Sequence, residues 1–121
     1  MAIYESGEMY LETILVLYKK GIEKVRAIDI VKELNYSKPS VSIALSNLKK
    51  DGYVTVDANG TIEFTPEGEK IAKKIYERHI VLTKMLTELG VSEKTASEDA
   101  CRIEHVISDE TFKVIKKHFK K

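Results

Sequence analysis

The sequence predicts a mainly α-helical protein with one small β-hairpin. A winged helix-turn-helix domain over residues 1–65 is followed by an all-helical domain over residues 66–121. Three observations predict this fold class. Apolar residues recur at helical spacing in three segments before the hairpin. Asn59-Gly60, a strong hairpin-turn signal, separates two short segments rich in β-branched and aromatic residues. After Pro66, only helical patterns follow.

Three helices are predicted before the hairpin, over residues 7–20, 26–34 and 38–51. Their apolar positions are Tyr10, Leu11, Ile14, Leu15 and Leu17, then Ile28, Val31 and Leu34, then Val41, Leu45 and Leu48. Ser6 is the expected N-cap of the first helix, and Gly21 is expected to end it. Pro39 suits the first turn of the third helix, where its missing N–H is not needed. The second and third helices form the helix-turn-helix, and the turn lies at residues 35–37.

The hairpin supplies the wing, and three further helices complete the chain. Strands are predicted over residues 53–56 and 61–64. A long helix is expected from Pro66 to Leu89, with Thr65 as its cap and Gly90 after its end. The last two helices are predicted over residues 92–107 and 110–119.

Composition describes an ordinary soluble globular protein, with 43% hydrophobic and 32% charged residues. No apolar run approaches the roughly 18 residues of a membrane span, and the N-terminal residues lack the features of a secretory signal. A single cysteine cannot form an internal disulfide, which favours a cytoplasmic location. The net charge of +1 does not by itself indicate nucleic acid binding, although local clustering of charge can provide it.

The third helix is the candidate recognition helix, and double-stranded operator DNA is the expected partner. Its candidate DNA-binding residues are Ser37, Lys38, Pro39, Ser40, Ser42 and Asn47. Recognition helices contact bases from their N-terminal residues, and hydroxyl groups can pair with base donors or acceptors. The alternative is that Ser-Lys-Pro-Ser is only a solvated helix start. The wing carries Asp57 and Asn59 at its tip, so little phosphate affinity is expected from it.

Cys101, Glu104 and His105 form a Cys-x-x-Glu-His run, and this spacing places all three on one helix face. Thiolate, carboxylate and imidazole groups are the main protein ligands for divalent transition metals. The run therefore indicates a metal site. Two simpler interpretations stay open, because a lone cysteine is often a small buried residue and Glu-His pairs occur on solvated helices.

With these segments in place, the chain resembles the diphtheria-toxin-repressor family of metal-dependent regulators, which has iron-type and manganese-type members. The matching segments are residues 8–11, 37–42, 51–54, 64–68, 78–79 and 99–110. They cover essentially the whole chain in order, and the last segment is the most specific. The resemblance implies that the second domain binds metal and mediates dimerisation. Iron-type members also draw ligands from a third, SH3-like domain, and this sequence ends before one.

The resemblance implies an iron-type site formed by Met9, Cys101, Glu104 and His105. Manganese-type members carry carboxylates at the first two of these positions. Thioether and thiolate ligands favour Fe(II) over the harder Mn(II). Fe(II) is therefore the predicted metal, and Mn(II) is the alternative.

A second metal site is implied by His79, which matches a family ligand. The family's neighbouring glutamate appears here as Thr83, and its upstream histidine appears as Ser97. Glu12 matches a manganese-type ligand, so Glu12, His79 and Glu104 could hold a second ion. The alternative for His79 is a core position in the apolar stripe of the long helix.

The predicted function is that of a homodimeric, Fe(II)-activated transcriptional repressor, not an enzyme, on a palindromic operator. Metal would link Met9 of the DNA-binding domain to the ligands of the second domain. Candidate interface residues on the long helix are Val81, Leu82, Met85 and Leu89. For Phe112, Ile115 and Phe119 on the last helix two roles stay open, in the same core or in the interface. Three alternatives stay open: a Mn(II)-dependent repressor, a thiol redox regulator that uses Cys101, and a small metalloenzyme.

Overall fold

A computed structural model of the protein describes residues 5–119. These residues form six helices and one antiparallel hairpin. Their bounds are α1 Glu5–Lys19, α2 Ala27–Leu34, α3 Lys38–Lys50, β1 Val54–Val56, β2 Ile62–Phe64, α4 Pro66–Glu88, α5 Glu93–Ile103 and α6 Asp109–Phe119. Two compact units divide the chain, the first ending at Lys73 and the second beginning at Lys74. Each helix within residues 5–119 is too short or too polar to cross a membrane.

The first unit has the winged-helix arrangement that the sequence predicts. Helices α1, α2 and α3 contact one another, and α3 also contacts β1. Its buried apolar side chains are Tyr10, Leu11, Ile14, Leu15, Leu17, Val25, Ile30, Val41, Leu45, Leu48, Tyr53, Val54, Ile62 and Ala72. The apolar stripes predicted for α1 and α3 are therefore confirmed.

Two local predictions in the first unit are wrong. Ser6 is not an N-cap, because α1 already includes Glu5 and Ser6 lies inside the helix. In α2, Ile28 is 41% exposed, whereas Ile30 is fully buried. Apolar residues at 28, 30, 31 and 34 are compatible with more than one helix face, and packing against α1 and α3 selects the face that carries Ile30.

The turn of the helix-turn-helix is built by three polar residues. Asn35 adopts a left-handed conformation (φ 56°) at the C-terminus of α2, a conformation that asparagine tolerates better than most residues. Ser37 is the N-cap of α3, and its hydroxyl oxygen accepts a hydrogen bond from the Ser40 N–H at 3.2 Å. At the start of α2, the Arg26 N–H donates to Asp29 at 2.8 Å. The conformation of Asn35 and the cap formed by Ser37 fix the direction in which α3 leaves the turn.

The hairpin pairs Val54 with Phe64 and Val56 with Ile62. Its tip is closed by Asp57, whose carboxylate accepts hydrogen bonds from the N–H groups of Asn59 and Thr61 at 2.8 and 2.9 Å. The Asn59-Gly60 signal therefore predicted the hairpin correctly. The carboxylate of Asp57 contributes two of the hydrogen bonds that hold its tip.

The start of α4 lies unusually close to the residues before β1. Thr65 donates its N–H to the carbonyl oxygen of Tyr53 at 3.1 Å and its hydroxyl to that of Gly52 at 2.7 Å. A Cβ atom added to Gly68 would lie 1.9 Å from the Tyr53 carbonyl oxygen. Only glycine permits this approach, which explains Gly68 in the first turn of α4.

The second unit contains most of α4, together with α5 and α6. Its buried apolar side chains are Ile75, Val81, Leu82, Ala96, Ala100 and Phe112. Helix α5 ends at Ile103, four residues before the predicted end, and Glu104 occupies its C-cap position in helical conformation. Ser108 then begins α6 by accepting a hydrogen bond from the Thr111 N–H at 3.0 Å. The turn between these helices therefore contains Glu104 and His105.

Candidate metal centre and DNA-contacting surface

Glu104 lies at the centre of the candidate metal site in the second unit. Its side chain is fully buried, and one carboxylate oxygen lies 2.8 Å from Nδ1 of His79 on α4. The other oxygen lies 3.7 Å from Nε2 of His105, whose side chain is 3% exposed. Helix α4 and the end of α5 thus bring a carboxylate and two imidazoles together.

This donor set fits a divalent cation. A carboxylate that is withdrawn completely from water needs a compensating positive charge or several hydrogen bonds. Neutral imidazoles and a carboxylate are suitable ligands for Fe(II), Mn(II) and related ions. Thr83, one turn after His79, adds a buried hydroxyl oxygen with no hydrogen-bond partner among residues 5–119. Such a hydroxyl is suited to a metal-bound water.

Cys101 lies one turn before Glu104 on α5 and is half-buried. It lines an open cavity of about 480 Å³ together with His79, Ser97, Glu98 and Arg102. Within this cavity, the Ser97 hydroxyl lies 3.4 Å from Nε2 of His79. Both ring nitrogens of His79 therefore have polar neighbours, so His79 is not a purely apolar core residue of α4.

Met9 and Glu12, the two remaining candidate ligands, lie on α1 in the first unit, three residues apart on one helix face. Met9 is half-buried, and its sulfur lies 3.7 Å from the hydroxyl of Tyr36. Glu12 is buried, with an exposed fraction of 8%. Buried carboxylates are uncommon in proteins, and a buried carboxylate on α1 suits a ligand role.

Arg78 is the residue near this site to which the sequence assigned no role. It is 5% exposed, and Nη1 donates to the carbonyl oxygens of Glu104 at 3.1 Å and Ile107 at 2.9 Å. Nη2 binds the carboxylate of Asp109. The sequence feature that could have identified Arg78 is its place between Ile75 and Leu82 in an otherwise apolar stripe, where a charged residue is unexpected.

The candidate DNA-contacting surface is the outer face of α3 in the first unit. All six candidates, Ser37, Lys38, Pro39, Ser40, Ser42 and Asn47, are exposed. The Ser37 hydroxyl donates a hydrogen bond to the Ser40 hydroxyl oxygen at 2.8 Å, so the donor of Ser37 is already used. Ser42 also lines an open groove of about 420 Å³ with Arg26 and Lys49. Arg26, which precedes α2, was not among the predicted contacts and adds positive charge here.

Two family models match the chain. The iron-dependent repressor N-terminal DNA-binding domain matches residues 2–61, and the iron-dependent repressor metal-binding and dimerisation domain matches residues 65–121. The protein belongs to the iron-dependent repressor family. The resemblance inferred from the sequence is therefore confirmed, and the family's metal-dependent transcriptional repressors are its relatives.

Individual relatives of this iron-dependent repressor agree with the models. It is 37% identical over 109 residues to the diphtheria toxin repressor of Corynebacterium glutamicum, a match that covers 89% of this chain and 47% of that protein. It is 36% identical over 113 residues to an uncharacterised helix-turn-helix transcriptional regulator of Methanocaldococcus jannaschii. This match covers 93% of this chain and 90% of that protein. The chain thus spans about half the length of the corynebacterial repressor.

Among solved structures, the manganese regulator SloR superposes with a TM-score of 0.82 at 25% identity, covering 98% of this chain and 54% of that one. A hypothetical protein from Sulfolobus solfataricus superposes with a TM-score of 0.70 at 22% identity, covering 98% and 90%. The latter likeness concerns the fold alone. Both agree with the helices and hairpin of this family member.

Proposed function

We propose that this iron-dependent repressor family member is a cytoplasmic, homodimeric regulator that binds a palindromic operator when loaded with Fe(II) and so represses metal-uptake genes. Residues 1–65 serve as the DNA-binding domain and residues 66–121 as the metal-binding and dimerisation domain. The observation that carries the proposal is Glu104, a fully buried carboxylate 2.8 Å from His79. The relatives are named as repressors, which supports a regulatory rather than an enzymatic role.

Met9, Cys101, Glu104 and His105 are the proposed ligands of the regulatory ion. An ion bound there would place positive charge beside the buried carboxylate of Glu104. The thioether of Met9 and the thiolate of Cys101 make this set softer than one of carboxylates alone, which favours Fe(II) over Mn(II). The ligands must be deprotonated to bind, so metal binding releases protons and is weakened in acid.

DNA binding is assigned to α3 and the groove beside it. Lys38, Lys49 and Arg26 are exposed and can neutralise phosphates. Ser40 and Ser42 face solvent in the first two turns of α3, where recognition helices contact bases. In a two-fold symmetric dimer, two copies of α3 contact two half-sites of a palindrome.

Dimerisation is assigned to the second domain, whose exposed large apolar residues are Ile80, Leu89, Val106 and Val114. Leu89 was among the predicted interface residues and is 69% exposed. Val81 and Leu82 are buried within the chain, so they serve its own core instead. Phe112 is also buried, which agrees with the core role left open for it. Apolar surface of this kind is typical of homodimer interfaces.

Selection from a pool of random DNA duplexes, performed anaerobically with Fe(II), would define the operator. The affinity for that operator is then measured with Fe(II) and with Mn(II) at matched free concentrations, using the wild-type protein and Cys101→Asp. We expect tighter binding with Fe(II) for the wild type and a shift toward Mn(II) for Cys101→Asp. Full operator binding in excess EDTA would contradict the proposal. An unchanged metal preference in Cys101→Asp would contradict the assignment of iron.

A Mn(II)-dependent repressor is the second candidate. Two observations favour it: Glu12 supplies an additional buried carboxylate on the helix that carries Met9, and the similar SloR structure is described as that of a manganese regulator. In this case a second ion would use Glu12, His79 and Glu104. Equal or stronger activation of the wild-type protein by Mn(II), lost in Glu12→Gln, would establish it over the iron assignment.

A further inference from the structure

Two consecutive residues of α4 contact Glu104, one at its main-chain carbonyl and the other at its side-chain carboxylate. Arg78 donates to its main-chain carbonyl oxygen at 3.1 Å, and His79 lies 2.8 Å from its side-chain carboxylate. All of these residues belong to the second unit. We propose that Arg78 is a positioning residue that fixes the turn of residues 104–107 and so holds Glu104 and His105 ready for the metal ion. This inference rests on the metal site proposed above.

The position of Arg78 is not explained by packing. It lies three residues after Ile75 and four before Leu82, two side chains that are almost completely buried. An aliphatic residue would fill such a position without the desolvation of a cation. The nearest ion-pair partner, Asp109, is largely exposed and is shared with Lys74, whose Nζ lies 3.0 Å away. The retained guanidinium therefore has a role beyond filling the core.

The hydrogen bonds of Arg78 identify that role. Helix α5 ends at Ile103, and carbonyl groups at a helix C-terminus have no partner within the helix. Nη1 of Arg78 binds two main-chain oxygens that follow the end of α5, those of Glu104 and Ile107, while Nη2 binds Asp109 at the start of α6. Phe112 packs against the guanidinium, with its ring centre 5.4 Å from Cζ. One planar group thus binds both ends of the turn.

A planar guanidinium reaches the two carbonyls and Asp109 from two separate nitrogens, whereas a lysine has a single nitrogen. Arginine carries five donors in a fixed fork, whereas the lysine ammonium is a compact group on a flexible chain. Arg78→Lys therefore keeps the charge but cannot bind the turn carbonyls and Asp109 at the same time. Ligands that are held in place before the ion arrives bind it more tightly, because less conformational freedom is lost on binding. Removing such support typically weakens metal binding by about 10- to 100-fold.

The test has two parts, hydrogen exchange of the metal-free protein and a titration with Co(II). Co(II) is the probe in the titration, and its visible absorption reports the ligand geometry. In the metal-free protein, hydrogen exchange of the Val106 and Ile107 amides, both bonded to the Ile103 carbonyl, reports the order of the turn. In Arg78→Lys, we expect exchange at these amides to rise about tenfold more than at Ala100 within α5. Co(II) binding should weaken by about tenfold or more, with altered absorption bands.

Two controls separate positioning from general stability. Leu82→Ala removes a fully buried side chain of the same helix but none of the hydrogen bonds of Arg78, and Glu77→Gln weakens a neighbouring ion pair to Lys116. We expect both to leave the Co(II) absorption bands and affinity within about twofold of wild type. Asp109→Asn, at an exposed site, tests the same bonds if the Arg78 variants do not fold. It should increase exchange at Val106 and Ile107 and weaken Co(II) binding.

The proposal is overturned if Arg78→Lys, or Asp109→Asn where it alone can be measured, keeps wild-type exchange and Co(II) affinity. It is also overturned if Leu82→Ala weakens Co(II) binding as much as Arg78→Lys at the same loss of melting temperature. A wild-type protein that binds no Co(II) is a different result. That outcome removes the proposed metal site itself, and the positioning role with it.

Discussion

The hydroxyl of Tyr36 lies 3.7 Å from the sulfur of Met9, within the DNA-binding unit. Tyr36 immediately precedes Ser37, the N-cap of α3, and its ring packs edge-on against Tyr10 with centroids 6.2 Å apart. A proposed metal ligand is therefore in direct contact with the residue before the recognition helix. A bond from the sulfur to a metal ion would withdraw electron density from this weak acceptor and loosen the contact.

Tyr36→Phe keeps the ring and removes the hydroxyl. We expect metal affinity to increase by about twofold, because the Met9 sulfur no longer gives up a weak hydrogen bond when it binds the ion. The measurement is a Co(II) titration of the variant beside the wild type. Met9→Leu provides the control background, in which Tyr36→Phe should have no effect. An equal effect of Tyr36→Phe in that background would contradict the coupling.

Glu104→Gln tests the buried carboxylate. The amide oxygen can still accept a hydrogen bond from His79, but the charge is gone. We expect the stability of the metal-free protein to stay constant or rise by about 1 kcal/mol, because a desolvated charge has been removed. Stabilisation by added metal should disappear. Thermal unfolding in EDTA and in Co(II) measures both effects, and Asp99→Asn, an exposed carboxylate of α5, is the matched control. A clear loss of stability in EDTA would show that the charge is structurally required.

Gly68→Ala tests the close approach of α4 to Tyr53. The added Cβ would lie 1.9 Å from a main-chain oxygen, so either α4 or the residues before β1 must move. We expect a loss of about 3 kcal/mol in the free energy of unfolding. Urea unfolding measures it, and Glu67→Ala at the adjacent exposed position should change stability by less than about 0.5 kcal/mol. Equal stability of the two variants would contradict the assigned role of Gly68.

Asp109 gives a defined pH dependence. The hydrogen bond from Lys74, together with the positive charges of Lys74 and Arg78, lowers the pKa of Asp109 below its ordinary value of 3.8. A carboxyl group with a lowered pKa stabilises the folded state above its unfolded-state pKa, and this contribution is lost as the pH falls through the folded-state pKa. The difference in melting temperature between wild type and Asp109→Asn should be constant down to about pH 5 and shrink below about pH 4. A constant difference to pH 3 would contradict this assignment.

Most of the fold could be predicted because its signals are local. Asn59-Gly60 marks the hairpin, and Val41, Leu45 and Leu48 mark the buried face of α3. The error at the end of α5 arose because residues distant in sequence determine where this helix ends. The apolar pattern continues through Val106 and Ile107, so periodicity extended α5 too far. The carbonyl oxygens of Glu104 and Ile107 are bound by Arg78, 26 and 29 residues away.

The candidate metal site also combines features that local sequence patterns predict with contacts that they do not. The Cys-x-x-Glu-His run and His79 were evident from spacing and from the family resemblance. The support of the site was not, because a hydrogen bond from Arg78 to a main-chain carbonyl leaves no mark on the sequence at the accepting residue. The contact between Tyr36 and Met9 also joins residues 27 positions apart. Sequence patterns identify donor groups readily but not the side chains that hold them in place.

The carboxylate of Asp57 at the hairpin tip also bears on the proposed binding of DNA. Asp57 accepts hydrogen bonds from two main-chain amides, and these hold its carboxylate at the tip of the wing. In the proposed complex with operator DNA, this charge would repel phosphate groups, and few counterions would be displaced at the wing. Operator affinity should consequently fall only gently with rising ionic strength, and the cations beside α3 should account for most of that slope.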